Sequence, residues 1–135
     1  MRAYRAKLSG ALADRIDLVA HIGQPTAAAL GGPVGESSAD VRERVAEARA
    51  RQARRLGPGN VNADMTPAET RRHCRLEPGG RDVLAEGHER LGLSGRGHER
   101  VLRVARTIAD LRGDGRIDAG ALTEALGLRR REGSS

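Results

Sequence analysis

From Glu36 onward the apolar residues recur at helical spacing, and the punctuation between them is clear. Val41, Val45, Ala48 and Gln52 fall on one face of a stretch reaching Leu56, with Ser37 or Ser38 placed to cap its first turn and Asp40 suited to the positive helix end. Gly57-Pro58-Gly59 ends it. Thr66-Pro67-Ala68-Glu69 is a capping box with proline at the first helical position, and predicts a helix running to about Leu76. After the breaker Pro78-Gly79-Gly80, Arg81 to Leu91 is predicted helical with Val83, Leu84 and Leu91 inward. Ser94 caps a longer helix to Leu111, Arg112 to Arg116 is a turn, and Asp118 caps a last helix to Leu128.

The first part of the chain reads differently. Arg2 to Asp17 is compatible with a short helix, a Ser9-Gly10 break and a further helical turn, after which Leu18-Val19-Ala20-His21-Ile22 reads as an apolar strand. No later segment offers strand-like alternation, so this strand has no neighbour within the sequence. Gly23 to Gly35, rich in glycine, proline and small residues, reads as a linker, and Arg129 to Ser135 as a disordered tail. The expected organisation is therefore residues 1–22, a linker at 23–35, a helical domain at 36–128 and a tail at 129–135.

Composition sharpens this picture. In 135 residues there is one aromatic, Tyr4, so the core is built from Leu, Val, Ile and Ala, which suits helix packing. The net charge of +6 is almost wholly arginine, Lys7 being the one lysine, and favours polyanionic partners without choosing among ATP, nucleic acid and acidic protein. A single cysteine, Cys74, excludes an intrachain disulfide framework and fits a reducing compartment. No apolar run approaches the ~20 residues that span a bilayer, and no signal-type segment follows Met1 to Lys7, so a cytoplasmic location and no membrane partner are expected.

The catalytic motifs sought are mostly missing. No Gly-x-x-x-x-Gly-Lys-Ser/Thr loop is present to cradle phosphates, nor an apolar run ending in paired acids to hold Mg²⁺. His21, His73, His88 and His98 are not spaced as metal ligands, and no metal site is expected. His73 and Cys74 are adjacent, hence about 100° apart on a helix, and Cys74 reads as a partly buried structural thiol. Asp110 to Asp118 imitates half a calcium loop but carries Arg112 at its third position and Ala121 at its twelfth, so Asp114-Gly115 reads as a turn. Arg42, Arg44, Arg49, Arg51, Arg54 and Arg55 lie outside the apolar stripe of the first long helix. They form either a DNA-facing surface or a solvated face partly neutralised by Glu43 and Glu47. There is no aromatic platform for stacking bases.

Two segments stand out. One is Tyr4 to Asp17, Tyr-Arg-x-Lys-Leu-Ser-Gly-x-Leu-x-Asp-Arg-Ile-Asp; the other is Leu93 to Leu111, containing Arg-Val-Ala-Arg-Thr-Ile-Ala-Asp-Leu. With Glu36-Ser37-Ser38, Val41-Arg42-Glu43-Arg44-Val45, Ala48-Arg49-x-Arg51-Gln52 and Asn62-Ala63 between them, they resemble the magnesium-chelatase-like AAA+ ATPases, in the competence-helicase branch, from about residue 4 to 128. The resemblance implies a mainly α fold: a helical AAA+ lid domain preceded by the last helix and strand of a truncated α/β nucleotide-binding core. It implies an arginine finger acting across subunits at Arg15 and a phosphate-sensing arginine within the subunit at Arg96. It further implies ATP and Mg²⁺ as cofactors, held with a core that would lie before Met1, a homo-oligomeric ring of hexamer type, and DNA as a partner. Permanently charged, fork-shaped guanidinia suit both roles, because negative charge on phosphate oxygens must be met during phosphoryl transfer. The resemblance also leaves room for a chelatase subunit of tetrapyrrole synthesis, and the residues alone for a non-enzymatic basic helical module. Two departures are visible: Gly10-Ala11-Leu12-Ala13 stands where the family has Gly-Pro-Leu-Leu, and His98-Glu99 where it has Tyr-His.

Overall fold

The computed structural model describes Leu12 and residues 15–129. Its elements are α1 (Ala27–Leu30), α2 (Ser38–Leu56), a single 3₁₀ turn (Asn62–Asp64), α3 (Pro67–His73), α4 (Gly80–Leu91), α5 (Gly95–Arg112) and α6 (Ala119–Arg129). Among the described residues there is no sheet; one isolated parallel bridge joins Leu76 to Ile117. No helix is long and apolar enough to cross a membrane.

The caps explain where most helices start. Ser37 Oγ accepts from the Asp40 amide, Ser94 Oγ from Gly97, and Asp118 Oδ1 from Ala121 at 2.6 Å. Thr66 and Glu69 form the full capping box, each side chain accepting from the other residue's backbone N–H. Gly113, at φ 81°, ends α5 in the left-handed conformation that spares a Cβ clash.

α5 is the central helix. It packs against α6, α2, α3 and the 3₁₀ turn, while α4 packs on α6. The core runs through Met65, Leu84, Val101, Ala105, Ile108, Ile117, Leu122 and Leu126. Ile117 and Leu122 are wholly buried, each burial being worth roughly 1.5–3 kcal/mol. The small residues set the spacing: a Cβ on Gly87 of α4 would come within 2.4 Å of Leu126 Cδ1, so only glycine lets α4 and α6 lie this close.

A buried polar cluster fixes α2 on α5. Asp110, 1% exposed, accepts from Arg55 Nη1 at 3.0 Å, from Arg55 Nη2 at 2.6 Å and from Asn62 Nδ2 at 2.8 Å, and pairs with Arg106 at 3.3 Å. Arg106 is itself 2% exposed and donates to the carbonyls of Gly115 (3.0 Å) and Asp114 (2.5 Å), which ties the α5–α6 turn to the core. Gln52 Oε1 accepts from the Asn62 amide at 2.9 Å, so α2 also holds the 3₁₀ turn. These bonds are what make the buried charge tolerable, although Arg55 Nε and Arg106 Nε are buried without a hydrogen-bond partner.

Several expectations are corrected here. Leu18 to Ile22 forms no strand: it pairs with no neighbouring strand among the described residues, Ile22 is exposed, and its fixed point is the Val19 N–H donating to the Leu128 carbonyl at 2.7 Å. The third helix ends at His73 rather than Leu76, because Arg75 to Glu77 turns away to bond Ile117: the Ile117 N–H donates to Arg75 and the Glu77 N–H to Ile117, both at 2.8 Å. The linker at 23–35 contains a helical turn, α1, capped by Thr26. Val41 and Val45, on the face shared with Ala48 and Gln52, are exposed, since α2 meets the core through its second half. Arg51 and Arg55 belong to the interior edge of α2, not to its solvent face: Arg51 donates to the Asp110 carbonyl at 3.0 Å. Arg129 is the last residue of α6 and donates to the Ile16 carbonyl. The rest of the expected tail, 130–135, and the first segment apart from Leu12 and residues 15–22 lie outside the described residues.

Candidate functional site

Arg96 stands in the first turn of α5, two residues after the Ser94 cap. Ser94 satisfies the Gly97 amide, the helix carries no acidic residue in its first turn, and Arg96 is exposed with no ionic or hydrogen-bonding partner among the described residues. An exposed arginine thus stands in the first turn of an 18-residue helix, at its positive end, where an anion is favoured.

Arg15 lies in a turn whose Arg15 N–H donates to the Leu12 carbonyl at 3.0 Å, and its side chain is exposed. The residues after it are anchored at the same end of the molecule as Arg96. Asp17 pairs with Arg100, one turn further along α5, at 2.9 Å, and Arg129, bound to the Ile16 carbonyl, reaches to within 3.6 Å of where a Gly97 Cβ would be. The structure thus anchors the residues just after Arg15 beside the first turns of α5, the helix that carries Arg96, although 81 residues separate the two arginines in sequence. Neither guanidinium is consumed by the fold.

Cys74, His98 and His73 are part of the packing. Cys74 is buried, its Sγ 3.6 Å from the Leu102 carbonyl, and burial pushes its thiol up to about 11 despite the positive field of Arg106, Arg55 and Arg103. His98 packs edge-on against His88 with ring centroids 5.4 Å apart; burial, then the neighbouring His88, holds it below its usual value. Burial, then Arg55 and Arg72, lowers His73 likewise. Among the described residues no group of three His, Cys, Asp or Glu side chains converges as a metal site.

Sequence reasoning missed the buried role of Arg106 and Asp110. Its signal was present: they are four apart on one helix face in an otherwise apolar stripe, a spacing that calls for a mutual pair.

Comparison with known proteins places the helical domain in a family. Residues 35–129 match the family described as magnesium chelatase, subunit ChlI C-terminal, a span that takes in every long helix and Arg96. The chain is similar to the competence protein ComM of Haemophilus influenzae, 40% identical over 128 residues covering 93% of this chain and 25% of that protein. It is also similar to the uncharacterized protein YifB of Escherichia coli, 41% identical with the same coverage, and to an uncharacterized Mycobacterium bovis protein, 40% identical over 114 residues, 83% of this chain and 23% of that one. The chain spans about a quarter of the length of these relatives. The match across the whole helical domain establishes that this chain belongs to the magnesium chelatase ChlI C-terminal family, in its ComM-like branch.

Proposed function

We propose that this chain is the lid portion of a magnesium-chelatase-like AAA+ ATPase that acts on DNA, with Arg96 sensing nucleotide phosphate within its subunit and Arg15 reaching the nucleotide of a neighbour in a homo-oligomeric ring. The observation that carries the reading is Arg96: an exposed, unpartnered arginine on the first turn of a long capped helix, inside the segment that matches the family. Its freedom is informative because many other arginines of the domain, among them Arg51, Arg55, Arg103 and Arg106, are engaged in holding the fold.

The residues present fit the phosphate end of ATP and not its metal. Arg96 at the N-terminal end of α5 would meet phosphate oxygens; no carboxylate cluster among the described residues would hold Mg²⁺. ATP, when bound, supplies the phosphoryl group. What this chain contributes is positive charge, fixed in place before charge develops on the oxygens, which lowers the barrier because no reorganisation is needed at that moment. Arg15, exposed on a turn, is suited to act across an interface, the head-to-tail contact that closes a ring.

A second reading, a chelatase subunit of tetrapyrrole synthesis, is favoured by the name of the matching family; the similarity to a competence protein over 93% of the chain favours the DNA motor. The test is a chimera in which this chain replaces the matching 128 residues of the Haemophilus protein. DNA-stimulated ATP hydrolysis that falls at least ~100-fold in Arg96→Ala and in Arg15→Ala supports the assignment. Normal turnover in both variants would sink it.

A further inference from the structure

On the flank formed by α3, the Leu76–Ile117 bridge and α4 lies a groove of about 460 Å³. Four arginines line it, Arg71, Arg75, Arg81 and Arg116, and no carboxylate is among its described lining residues. Its floor is apolar, with Leu84 and Leu102 beside the buried Cys74. All four guanidinia belong to exposed residues, and those of Arg71, Arg75 and Arg81 have no ionic or hydrogen-bonding partner among the described residues. Arg116 has a single loose contact, 4.0 Å from Glu77.

The fold forces this convergence. In the parallel bridge Leu76 stands beside Ile117, so the preceding residues, Arg75 and Arg116, also stand side by side on one face. The register is held from both directions by the Ile117-to-Arg75 and Glu77-to-Ile117 hydrogen bonds, and the turn carrying Arg116 is pinned from beneath by Arg106 through the Asp114 and Gly115 carbonyls. Like charges held together repel, and the two readiest remedies, separation or an acidic neighbour inside the groove, are not used. A group of exposed guanidinia around a partly apolar groove is complementary to a chain of phosphates.

We propose that this groove grips the phosphodiester backbone of nucleic acid, at a surface separate from Arg96 and Arg15. The choice of nucleic acid among polyanions rests on the DNA-motor reading; the groove itself does not. With no aromatic platform, contact is to the backbone and independent of base sequence. The exposed arginines of α2 that the sequence singled out, Arg42 and Arg49, lie outside the residues lining the groove and serve as controls.

The experiment is fluorescence anisotropy of the 135-residue chain with labelled DNA of about 20 nucleotides, single-stranded and duplex, as salt rises from about 50 to about 200 mM. If all four arginines engage duplex phosphates, the log–log salt slope is about −3.6, an affinity loss of about 150-fold over that range. Arg75→Gln with Arg116→Gln shallows the slope by about 1.8 and weakens binding at least ~10-fold at low salt, while Arg42→Gln with Arg49→Gln leaves both unchanged. Far-UV circular dichroism confirms that each variant is folded. A preference between the two DNA forms identifies the strand state gripped. Absence of binding at low salt, equal losses in both double variants, or equally tight and equally arginine-dependent binding to polyglutamate overturns the proposal. If the chimera hydrolyses ATP without needing Arg96 while groove variants still lose DNA, the motor reading falls and the groove stands. If Arg96 is needed and the groove variants bind normally, the groove alone falls.

Discussion

Replacing Asp110 with alanine is expected to remove a large fraction of the domain's stability. The carboxylate, 1% exposed, accepts three hydrogen bonds, two from Arg55 and one from Asn62, and pairs with the likewise buried Arg106. Breaking a buried pair by deleting one partner costs about 3–5 kcal/mol, because the charge left behind is uncompensated. Here the survivors keep some acceptors: Arg106 retains two carbonyls and Arg55 retains Asn62 Oδ1 at 2.7 Å. The lower part of the range, about 3–4 kcal/mol, is therefore expected, against a total of roughly 5–15 kcal/mol for a chain of this size. The assay is urea unfolding followed by helical circular dichroism, with Glu43→Ala on the exposed part of α2 as a control expected within ~0.5 kcal/mol of the parent. Asp110→Asn, which keeps acceptor geometry for one Arg55 bond, is expected to fall between. A loss under about 1 kcal/mol for Asp110→Ala would refute the argument that this cluster locks α2 onto α5.

Other outcomes follow from the same packing and electrostatics. Gly87→Ala places a methyl 2.4 Å from Leu126 Cδ1 and is expected to destabilise by about 1–3 kcal/mol, whereas Gly127→Ala, with open space around it on α6, is expected to stabilise by about 0.5–1 kcal/mol; thermal melts of the two separate crowding from helix propensity. Thr66→Ala removes the capping box and is expected to cost about 0.5–2 kcal/mol by denaturant titration. Cys74, with its thiol pushed up to about 11, is only about one part in a thousand thiolate at pH 8, so reaction with an aromatic disulfide reagent is expected to be at least ~100-fold slower than in the urea-unfolded chain. His73 and His98 are held below the usual 6.5 in the fold by burial. The folded state thus binds fewer protons than the unfolded one, so melting temperature is expected to hold above that value and drop as pH falls below it, and the drop is expected to shrink in His98→Gln.

The helical half of this architecture was legible because its signals are local. Ser37, Thr66, Ser94 and Asp118 each cap the helix that their position in the sequence announces, and Gly57 and Gly113 stop the two long ones. What was not legible depends on partners distant in sequence. The bridge that ends α3 at His73 needs Ile117, and the burial of Arg55 needs Asp110, 55 residues away. Val41 and Val45 carry the same periodicity as Ala48 and Gln52, yet which half of a stripe finds a core is decided by the neighbouring helix. Leu18 to Ile22 has a strand's composition and no ladder to join among the described residues. For the site, the two arginines came from family resemblance; the structure adds that both are exposed and that the residues after Arg15 are anchored beside the first turns of α5. The arginine groove had no sequence signature, since its four members come from two helices, the connection between them and the α5–α6 turn.

The central claim, that the exposed arginine on the first turn of α5 serves nucleotide turnover, is tested most directly by single-turnover ATP hydrolysis in the chimera carrying Arg96→Ala, measured beside the parent chimera with nucleotide binding followed separately. The account predicts that hydrolysis falls at least ~100-fold, about 2.7 kcal/mol of transition-state stabilisation, while helical content and melting temperature are unchanged, because Arg96 holds no part of the fold. Hydrolysis at the parental rate, or a loss of activity matched by a loss of folded structure, would contradict it.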